Sequence, residues 1–213
     1  MSRTVTSTVY QFDELEDKAK EKARDWFRNG DTDFDTEFLF DDFERMGAML
    51  GIEFKQQQVK LMGGGTRGKP TIYFSGFSSQ GDGACFEGSY YFATNAVAKI
   101  TEETSGNDKR LIRIAEELEE VQALNANSLA ATVRHSGHYS HEYSTDIEVE
   151  RTDDSDSEVS DEHAEAVRTC LRDFMRWMYR ALEEDYEWRN ADEQVDDNIR
   201  ANEYEFTESG HIA

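Results

Sequence analysis

Apolar residues recur at three- and four-residue spacing in four long stretches of the chain and alternate with polar ones in several shorter runs, so the pattern predicts a mixture of helices and strands. Leu15, Ala19, Ala23, Trp26 and Phe27 form one stripe on a first helix that ends near Asn29-Gly30, with Asp13 and Glu16 as its N-cap and capping box. Phe34, Phe38, Phe43, Met46 and Leu50 mark a second helix over about residues 33–50, stopped by Gly51. A third covers 107–124 with Leu111, Ile114, Ala115, Leu118 and Val121 inward, and a short one covers 192–201. The longest, 160–188, buries Val167, Leu171, Phe174, Met175, Met178 and Leu182. Its other side carries Arg168, Arg172, Arg176 and Arg180, and because Glu165, Asp173, Glu183 and Glu184 stand at pairing distance along the helix, this row reads as an ion-paired face rather than a phosphate-binding stripe.

Strands are predicted at 4–12, 52–61, 71–77, 84–92, 129–134, 145–150 and 204–207, the last lying beside the first. Segments 52–61 and 71–77 are expected to pair around the tip Gly63-Gly64-Gly65-Thr66-Arg67-Gly68. The fold class is therefore α+β: an antiparallel sheet of about five strands packed by amphipathic helices, with a long C-terminal helix, in one compact domain over 1–213.

Charge sharpens this picture. The chain holds 46 Asp plus Glu against 23 Lys plus Arg, a formal net charge of -23, and 13 Phe, 9 Tyr and 3 Trp to fill a core. The acidic second half, residues 142–208, holds 23 carboxylates and 7 arginines, and no lysine follows Lys109. At one charge per about 1.7 Å of duplex axis, that many carboxylates correspond to about 39 Å of DNA. The candidate partner-binding residues are Asp153, Asp154, Asp156, Glu158, Asp161, Glu162, Glu183, Glu184, Asp185, Glu187, Asp192, Glu193, Asp196 and Asp197. Direct nucleic-acid binding is disfavoured, because phosphate contacts need concentrated Lys and Arg. No stretch is long and apolar enough to span a membrane and the N-terminus lacks the apolar region of a signal peptide, so a cytoplasmic protein is expected. Cys85 and Cys170 are too few for a disulfide framework and are expected to be reduced.

Candidate chemistry concentrates in residues 74–88. Arg67, Ser75, Gln80, Asp82 and Glu87, on loops 63–68 and 75–87, are the side chains that would hold a small polar ligand, although the segment matches neither the phosphate loop nor the dinucleotide fingerprint and reads first as a structural turn with bulges. Cys85 beside His135, His138 or His141 has the residue types of a nucleophile and its base, but a Cys between Ala84 and Phe86 reads first as a buried small hydrophobe. A three-histidine metal site would need a turn at Ser136-Gly137 to bring His138 to the side of the other two; no metal and no cofactor is expected. Asp31, Asp33 and Asp35 lack the glycine and terminal Glu of a calcium loop and read as helix N-cap chemistry.

Four blocks carry a resemblance: Tyr10-Gln11-Phe12-Asp13-Glu14-Leu15; Leu61-Met62-Gly63-Gly64-Gly65-Thr66-Arg67; Ile72-Tyr73-Phe74-Ser75-Gly76-Phe77 running into Gln80-Gly81-Asp82-Gly83-Ala84-Cys85-Phe86-Glu87-Gly88-Ser89-Tyr90; and Ile199-Arg200-Ala201-Asn202-Glu203-Tyr204. Together with Arg134-His135-Ser136-Gly137-His138-Tyr139 they resemble a family of bacteriophage and prophage proteins, some of them labelled antitoxins of toxin-antitoxin stability systems. The resemblance implies a phage origin and brings no catalytic residue with it. Joined to the charge, it leads to the expectation of a non-enzymatic inhibitor of a host nucleic-acid-binding defence protein, of the anti-CRISPR or anti-restriction kind. An antitoxin that neutralises a toxin protein, or a nucleotide or small-molecule binder, are the alternatives, and a homodimer is compatible with either.

Overall fold

The computed structural model describes residues 8–30, 36–79, 81–153 and 158–213. Strand β1 (Tyr10–Gln11) leads through a 3-10 turn (Phe12–Glu14) into helix α1 (Asp17–Gly30). Helix α2 (Glu37–Leu50) is followed by six short strands, β2 (Ile52–Phe54), β3 (Gln56–Lys60), β4 (Thr66–Pro70), β5 (Ile72–Ser75), β6 (Gly83–Phe86) and β7 (Gly88–Tyr91). Helices α3 (Ala96–Glu103) and α4 (Lys109–Leu124), the hairpin β8 (Leu129–His135) and β9 (Thr145–Arg151), helices α5 (Asp161–Asn190) and α6 (Asp192–Ala201), and strand β10 (Glu205–Phe206) complete the chain. These elements divide into two compact units, Met1–Asp35 with Glu183–Ala213, and Thr36–Leu182.

In the first unit β1 pairs antiparallel with β10, so the terminal strand does lie beside the first. Phe12, Leu15, Ala19, Ala23, Val195, Ile199 and Phe206 form its core, and Trp26 packs edge-on against Tyr204 and Phe206 at centroid distances of 5.0 and 5.7 Å. Ion pairs fasten α1 and the turn to α6. Arg24 grips Asp196 with two bonds of 2.6 and 2.8 Å, Arg28 reaches Asp192 and the Asn190 carbonyl, and Arg200 pairs with Asp13. The capping box sits two residues earlier than expected: Glu14, not Glu16, accepts a backbone N–H, that of Gln11, because the chain returns to extended geometry at Leu15 before α1 begins.

The second unit is built on a four-stranded antiparallel sheet of order β2-β7-β8-β9. Register puts Ile52, Tyr90, Ala131 and Val149 in one row on the core face, and Glu53, Ser89, Thr132 and Glu148 in the next row on the opposite, open face. Against the core face pack the apolar stripes of α4 and α5, with Phe174 meeting Phe86 and Phe86 meeting Phe54 at 6.2 and 4.9 Å. Gln122 of α4 is fully buried and fully partnered: it donates to Tyr90 Oη and the Leu129 carbonyl and accepts from the Leu129 N–H. Gly51 ends α2 in the left-handed region at φ +85°, where a Cβ would lie 1.9 Å from the Tyr91 carbonyl oxygen, so no other residue fits between helix and sheet.

The remaining strands meet at a three-way junction. The Lys55 N–H donates to Glu87 O at 2.8 Å, the Glu87 N–H to Thr71 O at 3.0 Å, and the Thr71 N–H to Lys55 O at 2.8 Å, closing a ring of backbone bonds. At each of these residues a strand changes partner: β2–β3 from β7 to β4, β4–β5 from β3 to β6, and β6–β7 from β5 to β2. The expected pairing of 52–61 with 71–77 is therefore replaced by 56–60 with 66–70, and 72–75 pairs with 83–86. Phe38, expected on the buried face of α2, is 74% exposed, and Phe40 takes the core position. The expected N-cap at Asp31 to Asp33 and strand residues 4–7 lie outside the described residues.

Candidate functional site

The carboxylates of the second half divide by what they touch. Asp185 pairs with Arg189, Asp192 with Arg28 and Arg24, Asp196 with Arg24, Asp197 with Arg200, and Asp153 with Arg151. Of these, Asp192 and Asp196 tie α6 to α1, while Asp185, Asp197 and Asp153 pair with arginines two to four residues away on their own segments. Asp161 and Glu162 open α5 and Glu193 lies in the first turn of α6, where the positive helix end favours an anion. Asp154 and Asp156 lie outside the described residues.

Glu183, Glu184 and Glu187 have neither explanation. Glu187 stands in the last turn of α5, where the helix dipole disfavours anions, Glu183 and Glu184 lie a turn earlier, and none of the three makes an ion pair among the described residues. Glu183 and Glu187 are four apart, so they repel each other across one turn. Beside them Tyr186 and Trp188 are 42% and 59% exposed. Large exposed aromatic side chains among unpaired carboxylates have the composition of a protein-binding anchor. Glu158 is likewise exposed and without an ion pair among the described residues. One acidic row escaped the sequence reading: Asp146, Glu148 and Glu150 alternate outward along β9, the edge strand, about 6.6 to 6.8 Å apart along the strand. The period of two in Thr145-Asp146-Ile147-Glu148-Val149-Glu150 is the signal that would have found them.

The residues of the expected ligand loop serve local structure. Asp82 accepts the backbone N–H groups of Ser79 and Ser78 at 2.6 and 2.9 Å, and these bonds hold its carboxyl below the usual carboxylate range. Ser75 lies on β5 opposite Gly83, Glu87 pairs with Lys55 at 2.6 Å, and Arg67 pairs with Glu37 at the start of α2. Gln80 lies outside the described residues. Arg67 and Asp82 are thus each engaged elsewhere, and the bonds they make are those of turns and ribbons. Glu87 does line an open groove of about 480 Å³ on the exposed sheet face, with Lys55, Ser89, Thr132, Arg134 and His135.

The histidine segment folds down onto α5. Its anchor is Glu142, 8% exposed, which accepts a bond from Arg176 Nε at 2.8 Å and lies 3.0 Å from His141 Nδ1. Arg176 also reaches Asp173 and the Tyr143 hydroxyl, so one residue of the predicted arginine row is a structural clamp. Arg168 and Arg172 share Glu165, in keeping with the ion-paired reading of that row. The chain does turn at Ser136-Gly137, with φ +101° at the glycine, yet His135 stacks on Tyr73 while His141 faces Glu142. Among the described residues no group of three or more His, Cys, Asp or Glu is disposed to hold a metal ion. Cys85 is fully buried and burial pushes its thiol up to about 12, so it is held as a thiol and not as a nucleophilic thiolate. No helix among the described residues is long and apolar enough to cross a membrane.

No curated protein and no solved structure matches this chain. Residues 36–192 match DUF8835, a domain of unknown function, and the chain belongs to that family.

Proposed function

We propose that this is a phage-encoded, non-enzymatic inhibitor that occupies the basic nucleic-acid-binding surface of a host defence protein, of the anti-CRISPR or anti-restriction type. The observation that carries the reading is the end of α5, where Glu183, Glu184 and Glu187 lack ion pairs among the described residues, Glu183 and Glu187 repel each other across one turn, Glu187 opposes the helix dipole, and Tyr186 and Trp188 are exposed beside them. Carboxylates placed against local helix stability are accounted for by a cationic partner that neutralises them. Charge on this scale steers association and competes with phosphate for Arg and Lys, while the aromatic side chains supply the buried centre of the interface. The resemblance to phage proteins supports the origin.

The experiment is affinity capture from bacterial lysate with the tagged chain, at low and high salt and with duplex DNA as competitor. Recovery of a basic nucleic-acid-binding protein, released by salt and displaced by DNA, is the expected result. Recovery of a partner indifferent to both salt and DNA contradicts it. A growth-arresting toxin recovered in place of a defence protein would transfer the same surface to the antitoxin reading, the label carried by some of the phage proteins that the sequence resembles.

A further inference from the structure

Residues 55–70 hold no Asp or Glu and carry Lys55, Lys60, Arg67 and Lys69, in a strongly acidic chain. The stretch forms the β3–β4 ribbon, set off from the sheet by the three-way junction. Every residue of β3 is exposed, as are Leu61 and Met62 at the tip, and among the described residues β3 pairs with no strand but β4. Two strands that bury so little are marginal alone; three or more are needed for independent stability.

The two free edges of this ribbon differ. The Leu61 N–H donates to Gly65 O and the Thr71 N–H to Lys55 O, so the odd-numbered residues of β3 make the hydrogen-bonded pairs with β4, and Gln56, Gln58 and Lys60 turn their N–H and C=O groups to the open side. On the β4 side the outward residues are Thr66, Gly68 and Pro70, and proline has no N–H to give. An antiparallel pairing of β4 with its own copy, centred on Gly68, would also set Arg67 against Lys69 of the second copy. That edge is closed by proline and by like charges, whereas the β3 edge has no proline and a single charged residue, Lys60 at its end.

We propose that β3 pairs with β3 of a second copy of this chain, antiparallel and centred on Gln58, to give one four-stranded ribbon of order β4, β3, β3, β4 across a two-fold axis. The register is self-consistent. Gln58 meets Gln58 of the second copy and Gln56 meets Lys60, each an outward-facing pair able to exchange both N–H···O bonds, and Val59 meets Gln57, so no cation opposes a cation. Charge favours the place as well: two bodies of net charge -23 repel less where they meet through a segment without Asp or Glu, beside which Glu44 and Glu37 are engaged by Gln56 and Arg67. One short strand pair lies at the low end of interface sizes, so the dimer is weak and favoured by high protein concentration.

Sedimentation velocity over a concentration series, at low and high salt, tests this. The expected result is a monomer–dimer equilibrium that tightens as salt rises, because salt screens the repulsion between the bodies; the inhibitor interface proposed above weakens with salt, so the two readings fail separately. Gln58→Pro removes an outward N–H without touching the β3–β4 bonds, and Gln58→Lys sets two ammonium groups face to face. Each is expected to raise the dissociation constant at least about tenfold, the worth of one or two net backbone hydrogen bonds, with an unchanged far-ultraviolet circular dichroism spectrum. A monomer at every concentration, or a dimer indifferent to both variants, overturns the proposal.

Discussion

The Glu142 carboxylate, closed off from solvent between the histidine segment and α5, accepts a hydrogen bond from Arg176 Nε at 2.8 Å. Removing the arginine leaves that carboxylate in place without its counter-charge. Arg176→Met is therefore expected to cost about 2 to 3 kcal/mol, less than the roughly 3 to 5 kcal/mol of a fully buried broken pair because Arg176 is itself partly exposed. Glu142→Gln keeps an acceptor for the same bond and is expected to cost less. Urea unfolding of the two variants checks the order, and wild-type stability in Arg176→Met refutes the clamp.

Gln122 joins α4 to the first residue of β8 and to Tyr90. In Gln122→Leu the Leu129 N–H loses its only side-chain acceptor inside a closed core, at a cost of about 2 kcal/mol. The midpoint of thermal or urea unfolding gives the value, and an unchanged midpoint would mean that water or a shifted strand takes over the bond.

Burial pushes the thiols of Cys85 and Cys170 up to about 12 from an ordinary value of 9.0. Both stay protonated in the folded chain where the unfolded chain would release its protons. Their contribution to stability is complete below 9.0 and is lost as pH rises from there toward about 12. A thiol reagent at mildly alkaline pH should therefore label neither cysteine in the folded protein and both after denaturation. Rapid labelling of Cys85 in the native state would reopen its candidacy as a nucleophile.

Two kinds of carboxylate are distinguished by stability. Asp196→Asn breaks a two-bonded pair with Arg24 in which both side chains are largely buried, and is expected to lose about 1 to 2 kcal/mol. Replacing Glu183, Glu184 and Glu187 together by Gln is expected to leave stability unchanged or raise it by a few tenths of a kcal/mol per site, since like-charge neighbours and an unfavourable dipole are relieved. Circular dichroism melts of the two variants compare them directly; a large loss in the triple variant would assign those glutamates to the fold.

Local periodicity carried most of the fold. The stripes of α4 and α5 are as read from the sequence because each is a strong apolar pattern at helical spacing, and the short helix α6 and the pairing of the first strand with the last are also as expected, the latter although Tyr10 and Phe206 stand near opposite ends of the chain. Helix α3 was not foreseen: it is short and starts from Asn95 in the left-handed region, with no conventional cap. Phe38 was misplaced because it is five residues from Phe43 and so lies off the stripe that Phe40, Phe43, Met46 and Leu50 define. The three-way junction has no local signature at all. Lys55, Thr71 and Glu87 are ordinary strand residues, and only partners far along the chain make them switch points.

The candidate site was legible in composition and illegible in detail. That carboxylates crowd the second half is plain from the sequence, whereas their division into structural and unpaired groups depends on contacts such as that of Arg24 with Asp196, 172 residues away. The loop at Asp82 shows the converse. Glycines, serines and a carboxylate at close spacing suit a ligand site and a self-capped turn alike, and the bonds from Ser78 and Ser79 account for the carboxylate within the turn.

If the carboxylates at the end of α5 bind a basic partner, their removal abolishes its capture. Host lysate is passed, at low and high salt, over the wild-type chain and over the variant with Gln at 183, 184 and 187, run side by side. The expected result is a nucleic-acid-binding protein that salt releases from the wild type and that the folded variant no longer retains. Equal recovery by both proteins, at either salt, would contradict it.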